Sequence, residues 1–424
     1  MLPDGRRGAG LRRRLSPLAV YTMLSCTSSF LLTVVFTVET LYHLMVVHMN
    51  PLQLVLTGTI LEATIFLFEV PTGVLADARS RRLSIVIGYV LIGLGFILEA
   101  SVPLFWSVAL AQVTWGLGYT FTSGATEAWV VDEIGQARAG EAFLRGAQAS
   151  RAGTLVAIPI SAAIGSIRLA LPMVLGGACM VLLACFLAVT MSEEGYQPAH
   201  GASRHPFRIA SSTIRAARGL LGRQPLLLGL LGIGLFFGLY SEGFDRLWQA
   251  HLLQSFNTDW LASVPTVVWM AGIDLVGTLL SLAAISIVQH RVDVARIATL
   301  GRILVVTTGA IVLALAGFGL ARRFDLALAL LWLIVVLRAI HGPLHATWFN
   351  QRIDNPQVRA TLFSISSQVD SIGQVAGGPG VGAIGNASIR LALVASAAIL
   401  SPAAMLYGLV ARRSLATSRD ETPS

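Results

Sequence analysis

Apolar residues run along this chain in blocks of about 20, long enough to cross a hydrocarbon core of roughly 30 Å. The blocks follow one another from Pro17 to Arg412, separated by short polar segments. The pattern predicts twelve spans, at residues 17–47, 51–76, 83–101, 103–130, 144–166, 169–191, 225–252, 260–288, 297–321, 324–349, 362–385 and 391–411. In lipid every backbone polar group must be satisfied within the span, so uninterrupted apolar blocks predict helices. A β-barrel would instead alternate apolar and polar residues over short segments.

Arginine placement predicts orientation. With the N-terminus inside, the outside segments hold only Arg168, Arg322, Arg323 and Arg390, and the other loop and tail arginines fall inside. That is the positive-inside pattern, and it predicts both termini on the cytoplasmic face of a bacterial-type plasma membrane. The longest polar connection, 192–224, divides the chain into six-span bundles at 17–191 and 225–411. Short tails at 1–16 and 412–424 flank them.

Composition supports this reading: 55% of residues are hydrophobic and 12% charged, against roughly 25% charged in soluble domains. The net charge of +8 is carried by arginines that set topology, and it does not point to nucleic acid. Cys26, Cys179 and Cys185 lie inside apolar spans without paired spacing, so they read as small packing residues. The Arg-rich N-terminus precedes an apolar block too long for a cleavable signal peptide.

The two halves echo each other. Gly153, Pro159 and Gly165 precede Ser166-Ile167-Arg168-Leu169-Ala170-Leu171; Gly373, Pro379 and Gly385 precede Ser388-Ile389-Arg390-Leu391-Ala392-Leu393. Trp129, Ile134, Arg138 and Ala139 parallel Trp348, Ile353, Arg359 and Ala360. Glu39 with His43 four residues on matches Glu242 with Arg246 four residues on. Parallel six-span repeats accompany transporters that rock one half against the other around a midplane site.

Between the second and third spans stands Glu69-Val70-Pro71-Thr72-Gly73-Val74-Leu75-Ala76-Asp77-Ala78-Arg79-Ser80-Arg81-Arg82. This resembles the cytoplasmic loop motif of the major facilitator superfamily, G-x-L-A-D-x-x-G-R-R, with Ser80 in the place of a glycine. The resemblance implies two pseudo-symmetric six-helix bundles of an all-α membrane protein, a small-molecule substrate and no cofactor. It also implies a gate formed by Gly73, Asp77, Arg81 and Arg82, with Asp77 latching the halves together. The Glu-x-Pro lead-in is similar to drug exporters of the macrolide and tetracycline type. Gly373, Gly377, Gly378 and Pro379 resemble the family's antiporter motif, but on the eleventh span; the fifth keeps only Gly153 and Pro159. Physically, such runs bend helices and admit close neighbours. The arginine often found in the fourth span, shortly before a Gly-x-Gly, is Gln112 here, ahead of Gly116 and Gly118.

Ionisable groups at bilayer depth are functional candidates by default. Glu62 and Glu69 are seven apart, on one face of the second span; Glu127 lies near the inner end of the fourth. Arg151, Asp274, Arg338 and Asp370 lie on the fifth, eighth, tenth and eleventh. Glu62 or Asp274 is expected to exchange a proton coupled to substrate, with Arg151 as a counter-charge. Glu242–Arg246 and Asp370–Arg151 are the expected structural ion pairs. His341 and His345, four apart, fit packing or lining better than a metal site, which needs further ligands. Ten aromatics, from Tyr21 to Trp348, are candidate cavity linings or interfacial anchors. The function these features support is proton-coupled export of small amphipathic compounds by a monomer in the bilayer. An uptake permease and a non-transporting receptor on the same fold are the alternatives. No nucleophile–base constellation or phosphate-binding loop suggests an enzyme.

Overall fold

A computed structural model describes residues 15–196, 225–293, 296–351 and 356–420. The expected tails and central loop fall largely outside the described residues, as does Ile353 and the side chains of Arg359 and Ala360 from the internal echo. Helices dominate: α1 Pro17–Met45, α2 Pro51–Ala78, α3 Arg81–Ser101, α4 Phe105–Thr122, α5 Ala125–Ile134, α6 Gln136–Gly165 and α7 Ala170–Thr190 in the first half. The second half holds α8 Pro225–Ser255, α9 Thr266–Arg291, α10 Ile297–Leu320, α11 Phe324–Asn350, α12 Pro356–Ala387 and α13 Ile389–Asp420. Eight of these are long and apolar enough to cross a membrane by length and composition. The other crossings, α4, α6, α8 and α12, carry polar side chains such as Gln112, Arg151, Asp245 and Asp370.

Local chemistry sets the ends. Asn50 caps α2 in a reciprocal capping box with Gln53, and Pro51 follows at the first helical position. Ser80 caps α3, its hydroxyl accepting from the Leu83 amide at 2.9 Å, which gives the departure from the loop motif a structural use. The predicted fourth span breaks where the sequence suggested continuity. Gly124 and Gly135 take φ of +70° and +86°, values that glycine alone adopts without strain. The short α5 between them carries Trp129 into the core at 1% exposure. Helix α6 starts at Gln136, eight residues before the predicted fifth span, because a helix continues through polar turns once its backbone is satisfied.

The halves repeat one packing scheme. Helix α1 packs on α6 as α8 packs on α12, and α3 on α7 as α10 on α13. Within each bundle small residues let backbones meet, which is what holds helices together in lipid: a Cβ at Gly153 would stand 2.5 Å from the Cys26 carbonyl oxygen of α1. A Cβ at the matching Gly373 would stand 2.5 Å from that of Leu235 in α8. The halves meet chiefly along three seams, α2 with α12, α6 with α9 and α2 with α8. At the Asn50 end of the first seam, the Leu52 amide donates to Asn386 Oδ1 at 3.0 Å.

Candidate functional site

The space between the halves is polar on both walls. A cavity of 310 Å³ is lined by Thr33, Phe36 and Thr154 from one half and by Trp248, Asp274 and Trp332 from the other. A neighbouring cavity of 270 Å³ shares Asp245 and Arg338 with it. A third, of 280 Å³, shares Asp370 and Gln374 with the second and brings in Glu62 and Glu69. The seven-residue spacing of those glutamates does place both on the α12 seam. Ser371 donates to Glu62 at 3.3 Å, and Gln368 to Glu69 at 2.8 Å.

Arg338 grips Asp245 with both amino groups, Nη2 donating to Oδ2 at 2.9 Å. Its guanidinium lies over the rings of Tyr240 and Phe244 at 5.7 and 5.2 Å. This committed pair leaves Asp274 without an ion-pair partner among the described residues. Two expectations about Arg151 fail. Its side chain is exposed, it lines none of these cavities, and Asp370 instead accepts from Gln374 at 2.8 Å. Equivalent position on repeated helices does not make two residues face each other, because the helices they sit on pack against different neighbours. Glu127, in the first turn of α5, is also exposed.

A second polar group lies deeper. His43 Nε2 is 2.5 Å from Glu99 Oε1, and Gln112 Nε2 donates to Glu39 at 3.1 Å. Trp115 in turn donates to Gln112 Oε1 at 2.8 Å. Glu39, His43, Glu99 and Gln112 are 4%, 2%, 0% and 0% exposed, so their partners are each other rather than water. Across the seam Arg246 pairs with Glu242 at 3.4 Å as expected, and its charge also acts on Glu39 and Glu99. The Glu–His and Glu–Arg echo thus meets itself where the halves join. Gly58 makes room for it: a Cβ there would fall 1.6 Å from Glu242 Oε2.

The Asp77 loop is differently built. Asp77 is exposed, in the last turn of α2 rather than beyond its end, and Arg81 reaches it at 3.5 Å. Arg81 also pairs with Asp132 on α5. The Arg82 amide donates to Glu193 at 3.2 Å, and its side chain to the Ala188 carbonyl. Asp132 and Ala188 belong to the first half and Glu193 to the start of the connection after it, so none belongs to the second half. Gly73 serves no close packing, since a Cβ there would meet nothing within 4 Å.

The family model described as Major Facilitator Superfamily matches residues 18–378. The chain belongs to this superfamily. A Bacillus subtilis (strain 168) relative, the uncharacterized MFS-type transporter YxaM, is 22% identical over 364 residues, 85% of this chain and 87% of that one. Among solved structures the nucleoside transporter NupG superposes with a TM-score of 0.72 at 13% identity, covering 93% of this chain and 99% of that one. A bacterial homolog of the human lysosomal transporter Spinster, inward-facing and unoccupied, does so at 0.68 and 15%, covering 95% and 98%. These likenesses show the fold of a membrane transporter, not of an enzyme.

In this major facilitator the eleventh-span glycines have two duties. Gly373 and Gly377 face α8 within their own half, while Gly378 faces Thr59 and Val55 of α2 across the seam. Pro159 and Pro379 stay inside continuous helices. Of the candidate aromatics, Phe36, Trp115, Tyr119, Tyr240, Trp248 and Trp332 line the central cavities; Trp348 is fully buried in a packed cluster. Sequence reasoning passed over Glu99 and Asp245. The rule that flags any intramembrane acid was signal enough for both.

Proposed function

We propose that this facilitator is a monomeric, proton-coupled exporter of small amphipathic compounds, working by alternating access in the plasma membrane with both termini inside. The observation that carries this reading is the charge balance of the central cavities. Glu62, Glu69, Asp245, Asp274 and Asp370 line them, against one guanidinium, Arg338, already held by Asp245. Carboxylates in a low-dielectric cavity are costly while charged and unpaired, so such a cavity favours protons and cationic or polar guests and disfavours anions. Asp274, unpaired in the wider cavity, and Glu62, on the seam, are the coupling acids. Competition between proton and substrate for them links the two flows. Asp77, Arg81 and Arg82 hold the first half's cytoplasmic ends in order and would form the gate on that side, with the glycines of α12 allowing its seam with α2 to slide.

The test is the external pH of weakly buffered proteoliposomes pulsed with amphipathic drugs. Drug-triggered proton flux, lost in Asp274→Asn or Glu62→Gln, is the expected result. Proton-driven transport that survives both substitutions sinks the assignment of the acids. The hydroxyls of Thr33, Thr37, Thr154 and Thr278 in the same cavity favour a second reading, uptake of a hydrogen-bonding metabolite. Metabolite counterflow without any drug-triggered flux would establish it.

A further inference from the structure

A side chamber of 340 Å³ opens from the central space into the second half, between α8, α11, α12 and α13. Its walls are rings. Phe237 stacks on His341 at 4.5 Å and 20°, and His341 lies nearly parallel to His345 at 6.0 Å and 7°. Phe349 and Phe363 approach at 4.6 Å on another wall. The imidazoles are fixed at their edges: Thr308 lies 3.2 Å from His341 Nε2, and the Tyr407 hydroxyl 2.7 Å from His345 Nδ1. Rings held this way lose little entropy when a guest arrives.

One charged side chain lines the chamber, Asp370, which also borders two of the central cavities. Gln374 occupies one of its oxygens, and no ion pair involves it among the described residues. Space is left by Gly342, where a Cβ would meet nothing within 4 Å. Pockets of this size, mostly apolar with a few placed polar groups, suit small molecules, and aromatic faces attract cations as well as other rings.

We infer that this chamber is a substrate subsite for planar aromatic cations, the ring system lying among Phe237, His341, His345 and Phe349 and the positive charge on Asp370. It rests on the exporter reading and names the substrate class within it. The same ring cluster in a purely structural role would fill the half-bundle without binding anything, and the two differ in a direct measurement.

The probe is proflavine, a three-ring cation at neutral pH, titrated by fluorescence into the full-length protein in lipid nanodiscs. Acridine, its neutral planar counterpart, and tetraethylammonium, a non-planar cation, are the comparisons. Saturable proflavine binding at least tenfold tighter than either is expected. Asp370→Asn should erase the preference over acridine while leaving acridine binding unchanged. Gly342→Leu should abolish binding of both ring systems by filling the chamber, and Gly342→Ala should keep it. Proflavine binding that neither Asp370→Asn nor Gly342→Leu alters, or no preference for the planar cation, overturns the inference. If proflavine fails to bind while another drug still drives proton flux, the subsite falls and the exporter reading stands. If no drug binds or drives flux, both fall.

Discussion

Near the Asn50 end of α2, the buried Glu39, His43, Glu99 and Gln112 of the first half face the Glu242–Arg246 pair of the second, in which Glu242 is buried and Arg246 is 18% exposed. At the Ala78 end, Asp77, Arg81, Asp132 and Glu193 form a second polar network, drawn from the first half and the start of the connection after it, with the Asp77 side chain 60% exposed. Residue types and charge count are similar; the surroundings are not. Water and salt screen Asp77, so its pair with Arg81 contributes little, while Arg81 and Asp132 are 18% and 23% exposed. The first has no water to fall back on. Its first-half members depend on one another for hydrogen bonds, and Arg246 acts on them across the seam through its charge.

The contrast is sharpest at Arg246. Arg246→Leu strands Glu242 and weakens the hold on Glu39 and Glu99. Loss of about 3–5 kcal/mol is expected from breaking a buried pair on one side, read as a large fall in thermal midpoint in detergent. An unchanged midpoint would show that the network carries no charge that needs Arg246. Next is Gly58→Val, which drives a side chain into the Glu242 carboxylate. Overpacking of this sort typically costs about 1–3 kcal/mol, and a variant as stable as the parent would mean that α2 and α8 do not approach as seen. Gln112→Leu is expected to follow, at roughly 1–3 kcal/mol for the buried groups it leaves unsatisfied, with Trp115 fluorescence shifting as its indole N–H loses its acceptor. Asp77→Asn should be the mildest, roughly 0–1 kcal/mol and smaller still at high salt. A fall in midpoint as large as that of Arg246→Leu would erase the distinction between the two ends.

How much of this was legible beforehand depended on the range of the interaction. Glu62 and Glu69 on one face and the Glu242–Arg246 pair are short-range features, separated by seven and four positions, and helical geometry settles them. The Asp370–Arg151 pairing was inferred from the repeat alone and fails, because symmetry of sequence says where residues sit along a helix and not which neighbour they meet. Glu99 could have been flagged as an intramembrane acid, but not its partners, which lie 56 and 13 residues away. Gln112 looked like the loss of an arginine; in the structure its amide bridges two buried carboxylates, a task an uncharged donor performs without adding charge.

By itself the sequence determined that this is a helical membrane protein of two repeated halves, because span length, apolar continuity and arginine placement answer to the bilayer and to the helix's own backbone. Only the tertiary structure decided which intramembrane charges meet, which face open space, and which glycines serve the seam between the halves. Those outcomes depend on how separate helices pack, with contacts such as Gln368 to Glu69 joining residues 299 positions apart. No periodicity within a span encodes a partner at that distance.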